Sequence, residues 1–79
     1  MEPTEHSGVV VEQRVGMGSK QDHVAVVLIE STGRQLVLRR SGANAFHDPE
    51  LEKLLGCRIQ CTGHLTGHTL TVTAWRIGE

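Results

Sequence analysis

Apolar residues recur along the chain in short runs whose length and alternation are typical of β-strands. The run at 8–15 is rich in β-branched valines, which favour extended backbone. The run at 23–30 is apolar from Val24 to Ile29, as expected of a strand that is covered on both faces. The run at 34–40 alternates apolar and polar residues, so one face of that strand is predicted to be buried.

Two further alternating runs, at 57–64 and 68–77, complete the predicted sheet. Their apolar faces consist of Cys57, Ile59, Cys61, Leu70, Val72 and Ala74. Glycine-containing segments at 31–33 and 65–67 separate neighbouring strands and predict hairpin turns. A longer loop, punctuated by two glycines, is predicted at 16–21 between the first two strands.

One stretch, at 48–56, has the spacing of a helix instead of a strand. Asp48 is predicted to cap the first turn, Pro49 fits the first helical position, and Gly56 fits the left-handed stop. The apolar stripe of this helix consists of Leu51, Leu54 and Leu55. A helix of about two turns is unstable alone in water, so the stripe is predicted to be buried against the strands, with Phe46 nearby. The predicted order of elements is β-β-β-α-β-β.

The length and the charge of the chain restrict its organisation. Its 79 residues make a single domain, predicted at 7–79 after a flexible tail at 1–6. The formal net charge of −1 provides no overall basic field that would attract nucleic acid or an anionic membrane. A nucleic-acid site would therefore have to be a local patch of arginines.

The two cysteines, Cys57 and Cys61, lie on one predicted strand. Their Cα atoms would be ~13 Å apart at ~3.3 Å per residue, whereas a disulfide requires less than ~7 Å. Free thiols are therefore expected, and because they suit a reducing cytosol, a cytoplasmic location is predicted. No apolar run has the length of a signal peptide or of a membrane span, so no membrane partner is expected.

The closing hairpin and the order of elements together resemble a known family. The segment 55–63, LGCRIQCTG, and the segment 68–72, HTLTV, are similar to the L-G-x-x-V-x-x-x-G and L-x-V ending of small bacterial OB-fold proteins. The resemblance covers 8–77 and implies a mainly β, five-stranded, OB-fold-like Greek-key barrel with one short helix between strands three and four. An SH3-like barrel also has five strands, but a capped helix before the fourth strand argues against it.

The resemblance also implies a binding site, because OB-folds bind oligonucleotides or oligosaccharides on the face of strands two and three and on adjoining loops. Carried over by position, that site would include Lys20, Gln21, Gln35, Val37, Arg39, His64, Thr66 and His68. Basic residues are what phosphate contacts require. The candidate nucleic-acid-binding residues are Lys20, Arg34, Gln35, Arg39, Arg40 and Trp75.

The same residues allow a second interpretation, in which the arginines are solvated charges that prevent edge-to-edge pairing of strands. Single-strand binding normally relies on aromatic stacking worth ~1–3 kcal/mol per base, and predicted strands two and three contain no aromatic residue. Trp75 falls one position out of phase with the apolar face of its strand. It is either an exposed binding aromatic or, through a bulge, a core residue, and the scarcity of large side chains favours the core.

Other chemistries find little support in the motifs. Cys61, His64 and His68 match no standard zinc spacing, and Cys61 is predicted to face the interior, so no metal or cofactor is expected. The glycines at 16–18 lack the spacing of a phosphate loop and precede a strand, and no nucleophile elbow is present. The chain is therefore not expected to be an enzyme.

The sequence thus predicts a small binding module, whose first candidate ligand is single-stranded DNA or RNA. The alternative is a protein-interaction adaptor or a homodimer that docks through strand edges or through the apolar residues Val10, Val37 and Met17. Convergence of the arginines on the face of strands two and three would favour the first interpretation.

Overall fold

The structure, a computed structural model, describes residues 2–15, 23–40, 42 and 48–78. It is mainly β, with five strands and one short helix. The elements are β1 (Thr4–Val15), β2 (His23–Glu30), β3 (Gln35–Arg40), α1 (Pro49–Glu52), β4 (Arg58–Thr66) and β5 (Thr69–Ile77). The predicted order β-β-β-α-β-β is therefore confirmed. Among the described residues, no helix has the length and apolar character needed to span a bilayer.

The five strands form one mixed sheet that closes on itself as a ring, in the order β1-β2-β3-β5-β4. The pairing of β3 with β5 is parallel, and the other four pairings are antiparallel. β1 pairs with both β2 and β4, and Gly8 and Val9 have partners on both of these strands. A Cβ atom at Gly8 would run into the backbone carbonyl of Ile29, so the close approach of β1 to β2 requires glycine there.

β1 begins earlier than the sequence predicts. Residues 4–9 pair with β4, from Thr4 opposite Gly63 to Val9 opposite Arg58. Residues 4–6, predicted as part of a flexible tail, therefore belong to a strand. These positions are polar and have no apolar alternation, and the strand forms because β4, more than fifty residues later, supplies its hydrogen-bonding partner.

The core lies inside the ring, where the apolar faces of all five strands meet. It consists of Val10, Leu28, Leu36, Leu38, Leu51, Leu54, Ile59, Cys61, Leu70 and Val72. Leu51 and Leu54 are only 2% and 4% exposed, which confirms that the helical stripe is buried, and Leu55 packs against the same cluster. Phe46 lies outside the described residues.

The helix is capped as predicted but is shorter. The Asp48 carboxylate accepts a hydrogen bond of 3.1 Å from the Glu50 N–H, and Pro49 occupies the first helical position. After Glu52 the chain continues in 3₁₀-type turns, in which the N–H groups of Leu54 and Leu55 donate to carbonyls three residues earlier. Gly56 then ends this turn with a φ of 83°.

Candidate ligand-binding surface

The outward side of β1, β2 and β3 forms one continuous surface, here called the outer face. It consists of Val9, Val11, Gln13, Ala25, Val27, Ile29, Gln35, Val37 and Arg39. The strand registers align these residues in rows, because Val27 pairs with Val11 on one side and with Val37 on the other. Residues between them, such as Val10 and Leu28, point into the core.

A groove of about 440 Å³ lies on the outer face. It is lined by Gln13, Val27, Arg34, Gln35, Val37 and His68. Val27 is 1% exposed despite its outward direction, so it forms the floor of the groove, while Gln35 and Arg34 are exposed at its margin. His68 is brought to β3 by the backbone, since its carbonyl accepts a 2.7 Å hydrogen bond from the Val37 N–H.

The groove differs from the rest of the chain in charge. None of the described residues that line it carries a carboxylate. The nearest strand carboxylates by register, Glu12 and Glu30, occupy positions that alternate with the outer face and so lie on the other side of the sheet. Asp48, Glu50 and Glu52 belong to α1 and its cap, and Glu2 and Glu5 lie at the start of the chain, where β1 pairs with β4 instead of β2. A chain with a formal net charge of −1 therefore presents a groove in which the described ionisable residues are Arg34 and His68.

The structure brings part of the predicted site together. Arg34 and Gln35 line the groove, and Arg39 lies two positions beyond Val37 on the same face, opposite Thr71 of β5. All three predicted side chains are exposed. Lys20 lies outside the described residues, as do Gln21 and Met17.

Arg40 has a different role from the one the sequence predicts. Its guanidinium makes two hydrogen bonds of 2.8 Å to the Asp48 carboxylate, from Nε to Oδ2 and from Nη2 to Oδ1. The hydrogen bonds from Arg40 lower the pKa of the Asp48 carboxyl, and the same bonds raise the pKa of the Arg40 guanidinium. Arg40 thereby holds the start of α1 against the end of β3 and is engaged within the chain.

Trp75 is turned inward by a bulge, as the second sequence interpretation proposes. Thr62 pairs with Ala74, but the next residue of β4, Gly63, pairs with Val72, so Thr73 is the extra residue. Trp75 is therefore opposite Cys61, and it is partly buried against the core. It does not lie on the outer face.

The residues named for the other interpretations are also placed. Val10 is 0% exposed, so its predicted availability for docking a protein partner is wrong, because it points into the core. Cys61 is buried as expected, and burial, aided by the charge of Glu30, raises the pKa of its thiol to about 11. Within 2–15, 23–40, 42 and 48–78, no group of three histidine, cysteine or acidic side chains is arranged to hold a metal ion.

The sequence-based site lacks two groove residues, Gln13 of β1 and the buried Val27 of β2. The position of Gln13 could be predicted, because it continues the alternation of Val9 and Val11 on the outward side of β1. The resemblance implies a site on strands two and three and adjoining loops, which does not include β1. No protein-family model, curated protein or solved structure matches this chain.

Proposed function

We propose that this protein is a binding module of the OB-fold type that binds single-stranded nucleic acid along the groove of the outer face. The strand order, the parallel pairing of β3 with β5 and the helix between β3 and β4 support the OB-fold assignment. The groove supports the location of the site, since the face of strands two and three is where such folds take their ligands.

The observation that carries the proposal is that no described residue of the groove lining carries a carboxylate. Arg34 supplies a charge for a phosphate, and the planar side chains of Arg34 and His68 can stack on unpaired bases. Gln13 and Gln35 each provide an amide donor and acceptor for base edges. An aliphatic floor at Val27 excludes water beneath a bound base.

The lining also predicts the character of binding. Phenylalanine, tyrosine and tryptophan do not occur among the described residues of the outer face, so the stacking platforms of stronger single-strand binders are missing. Phosphate contacts then dominate affinity. We expect weak sequence preference. The logarithm of the binding constant should fall linearly with the logarithm of the salt concentration, with a slope of roughly −0.7 for each phosphate contacted.

Fluorescence anisotropy with a labelled single-stranded oligonucleotide at low salt tests the proposal. The double variant Arg34→Ala/Arg39→Ala should weaken binding at least about tenfold and flatten the salt dependence. Lys53→Ala is the matched control, because Lys53 is an exposed cation after α1 and should leave affinity within about twofold. The proposal is wrong if the wild-type protein does not bind, or if the double variant binds like the control.

The second candidate, a protein partner or a second copy of this chain, is favoured by the partly exposed aliphatic residues of the outer face. Val9, Val11 and Val37 form a band with no charged side chain between them. Light scattering after size-exclusion chromatography tests self-association. A dimer that dissociates in Val37→Lys would support this candidate over nucleic acid, and a monomer unaffected by the substitution would exclude the homodimer.

A further inference from the structure

A second cavity, of about 510 Å³, lies beside the turn between β2 and β3. We call it the Trp75 pocket, and its lining includes Glu5, His6, Glu30, Ser31, Thr32 and Trp75. Its volume falls in the range of about 300–1,000 Å³ that is typical of small-molecule sites. It is distinct from the groove, since the two share no lining residue.

The wall of this pocket is held in place by polar contacts. The His6 Nδ1 atom lies 3.1 Å from Oε2 of Glu30, and its Nε2 atom lies 2.7 Å from the Thr4 hydroxyl oxygen. The His6 side chain is 8% exposed. Trp75 stands two strands away in the same row, with Cys61 between them, and packs partly on the core. The indole and the carboxylate are therefore presented by a fixed framework.

The pocket is rich in hydrogen-bond acceptors. Glu5 and Glu30 provide carboxylates, and Ser31 and Thr32 provide hydroxyls. The one arginine of the lining, Arg76, is engaged by Gln60, whose Oε1 accepts from Nε at 3.0 Å and from Nη2 at 2.7 Å. Gln60 is neutral, so Arg76 keeps its charge, but the two carboxylates outnumber this single guanidinium. The lining therefore disfavours a phosphate and favours an uncharged ring that carries N–H donors.

The pocket and the groove are adjacent along the chain. Ser31 and Thr32 line the pocket, and Arg34 and Gln35, which follow the same turn, line the groove. The turn is fixed by the Gly33 N–H, which donates to the Glu30 carbonyl at 2.8 Å, and by the φ of 90° at Gly33. A single strand whose phosphate contacts Arg34 can thus place a neighbouring base beyond the turn.

From this arrangement we infer that the Trp75 pocket binds one nucleobase that carries an exocyclic amine, stacked on the indole with its amine donated to a pocket carboxylate. The inference rests on the proposed function, because it extends the path of the same strand. Base stacking on an aromatic residue and a donor to a carboxylate are the two contacts that the outer face lacks. Cytosine should be preferred to uracil, because uracil presents a carbonyl oxygen where cytosine presents an amine.

Nucleosides test the pocket without the groove, because they carry no phosphate. The chain contains one tryptophan, so a single indole N–H signal in ¹H–¹⁵N NMR reports on this site. Cytidine should shift that signal saturably, and uridine should require at least about fivefold more ligand. Equal effects of the two nucleosides, or none with either, would overturn the inference.

Two variants test ligand binding at the pocket independently of folding and of binding at the groove. Ser31→Leu places a larger side chain at an exposed turn position of the pocket, and it should weaken cytidine binding at least about tenfold while circular dichroism stays unchanged. Arg34→Ala/Arg39→Ala should leave the cytidine response intact. If oligonucleotide binding is salt-sensitive but the indole signal does not shift, the pocket inference is wrong and the groove proposal is supported. If cytidine shifts the indole signal but no oligonucleotide binds, the groove proposal is wrong.

Discussion

Arg39 and Arg40 are neighbours in the sequence, yet the structure gives them different surroundings. Arg39 is exposed on the outer face, whereas Arg40 is bonded twice to Asp48. Strand alternation points the two side chains to opposite sides of the sheet, and this difference can be predicted from the sequence. The partner of Arg40 cannot be predicted in the same way, because it depends on where the helix cap lies against the end of β3.

The pair formed by Arg40 and Asp48 predicts a pH dependence of stability. The hydrogen bonds from Arg40 hold the pKa of the Asp48 carboxyl below its unfolded value, which is about 3.9. The ionised carboxylate therefore stabilises the fold above that pH, and this contribution is lost as the pH falls through the lower, folded-state pKa.

Thermal melts between roughly pH 6 and pH 2 check this dependence in the wild-type protein and in Asp48→Asn. Asparagine keeps the helix cap but not the charge, so the variant should lose less stability on acidification. Parallel curves for the two proteins would contradict the assignment. Asp48→Ala should cost about 1 kcal/mol more at neutral pH than Asp48→Asn, because it also removes the cap.

The two cysteines should differ in reactivity. Cys61 is buried, and its thiol, with a pKa raised to about 11, is protonated at neutral pH. Cys57 is partly exposed. With a thiol-reactive aromatic disulfide, Cys57 should react in the folded protein, and Cys61 only when the protein is unfolded. Two equally fast thiols in the absence of denaturant would contradict the interior position of Cys61.

At the scale of elements, the short helix depends on its leucines. α1 spans only Pro49–Glu52, so it has no independent stability, and Leu51 and Leu54 attach it to the core. Leu54→Ala should lower the free energy of unfolding by about 2–5 kcal/mol, measured by urea denaturation. Lys53→Ala, one residue earlier and exposed, should stay within about 0.5 kcal/mol of the wild type. Equal stability of the two variants would show that the helix does not dock through Leu54.

The bulge between β4 and β5 depends on Gly63. A Cβ atom there would collide with the Thr71 carbonyl, so Gly63→Ala requires the strands to separate. We expect a loss of about 1–3 kcal/mol in the free energy of unfolding and a changed Trp75 emission maximum. Gly78→Ala is the matched control, because a Cβ there meets only the Arg58 carbonyl at 3.9 Å. A Gly63→Ala protein as stable as that control would argue against the bulge.

For the whole molecule, local patterns predicted the elements better than their partners. The turns at Gly33 and Gly67, the cap at Asp48 and the bounds of β2 follow from residues that are close in sequence. The parallel pairing of β3 with β5 and the first half of β1 depend on contacts between distant segments, which short-range alternation does not encode.

The candidate site shows the same division between local and distant information. Gln35 and Arg39 are placed on one face by strand alternation, whereas Arg34 lies in the turn before β3. The resemblance to OB-folds directed attention to that face. The groove itself is completed by Gln13 and His68, from the first strand and the last turn. The net charge of −1 does not reveal how the charges are distributed. Carboxylates are absent from the described groove lining and present at α1.

The central claim is that the outer face is where this protein binds single-stranded nucleic acid. Mapping of backbone amide shifts by ¹H–¹⁵N NMR during titration with a short oligonucleotide tests it most directly. We expect the largest shifts on the groove residues Gln13, Val27, Gln35, Val37 and His68, and little change in α1. Shifts concentrated on α1, or no shifts at low salt, would contradict it.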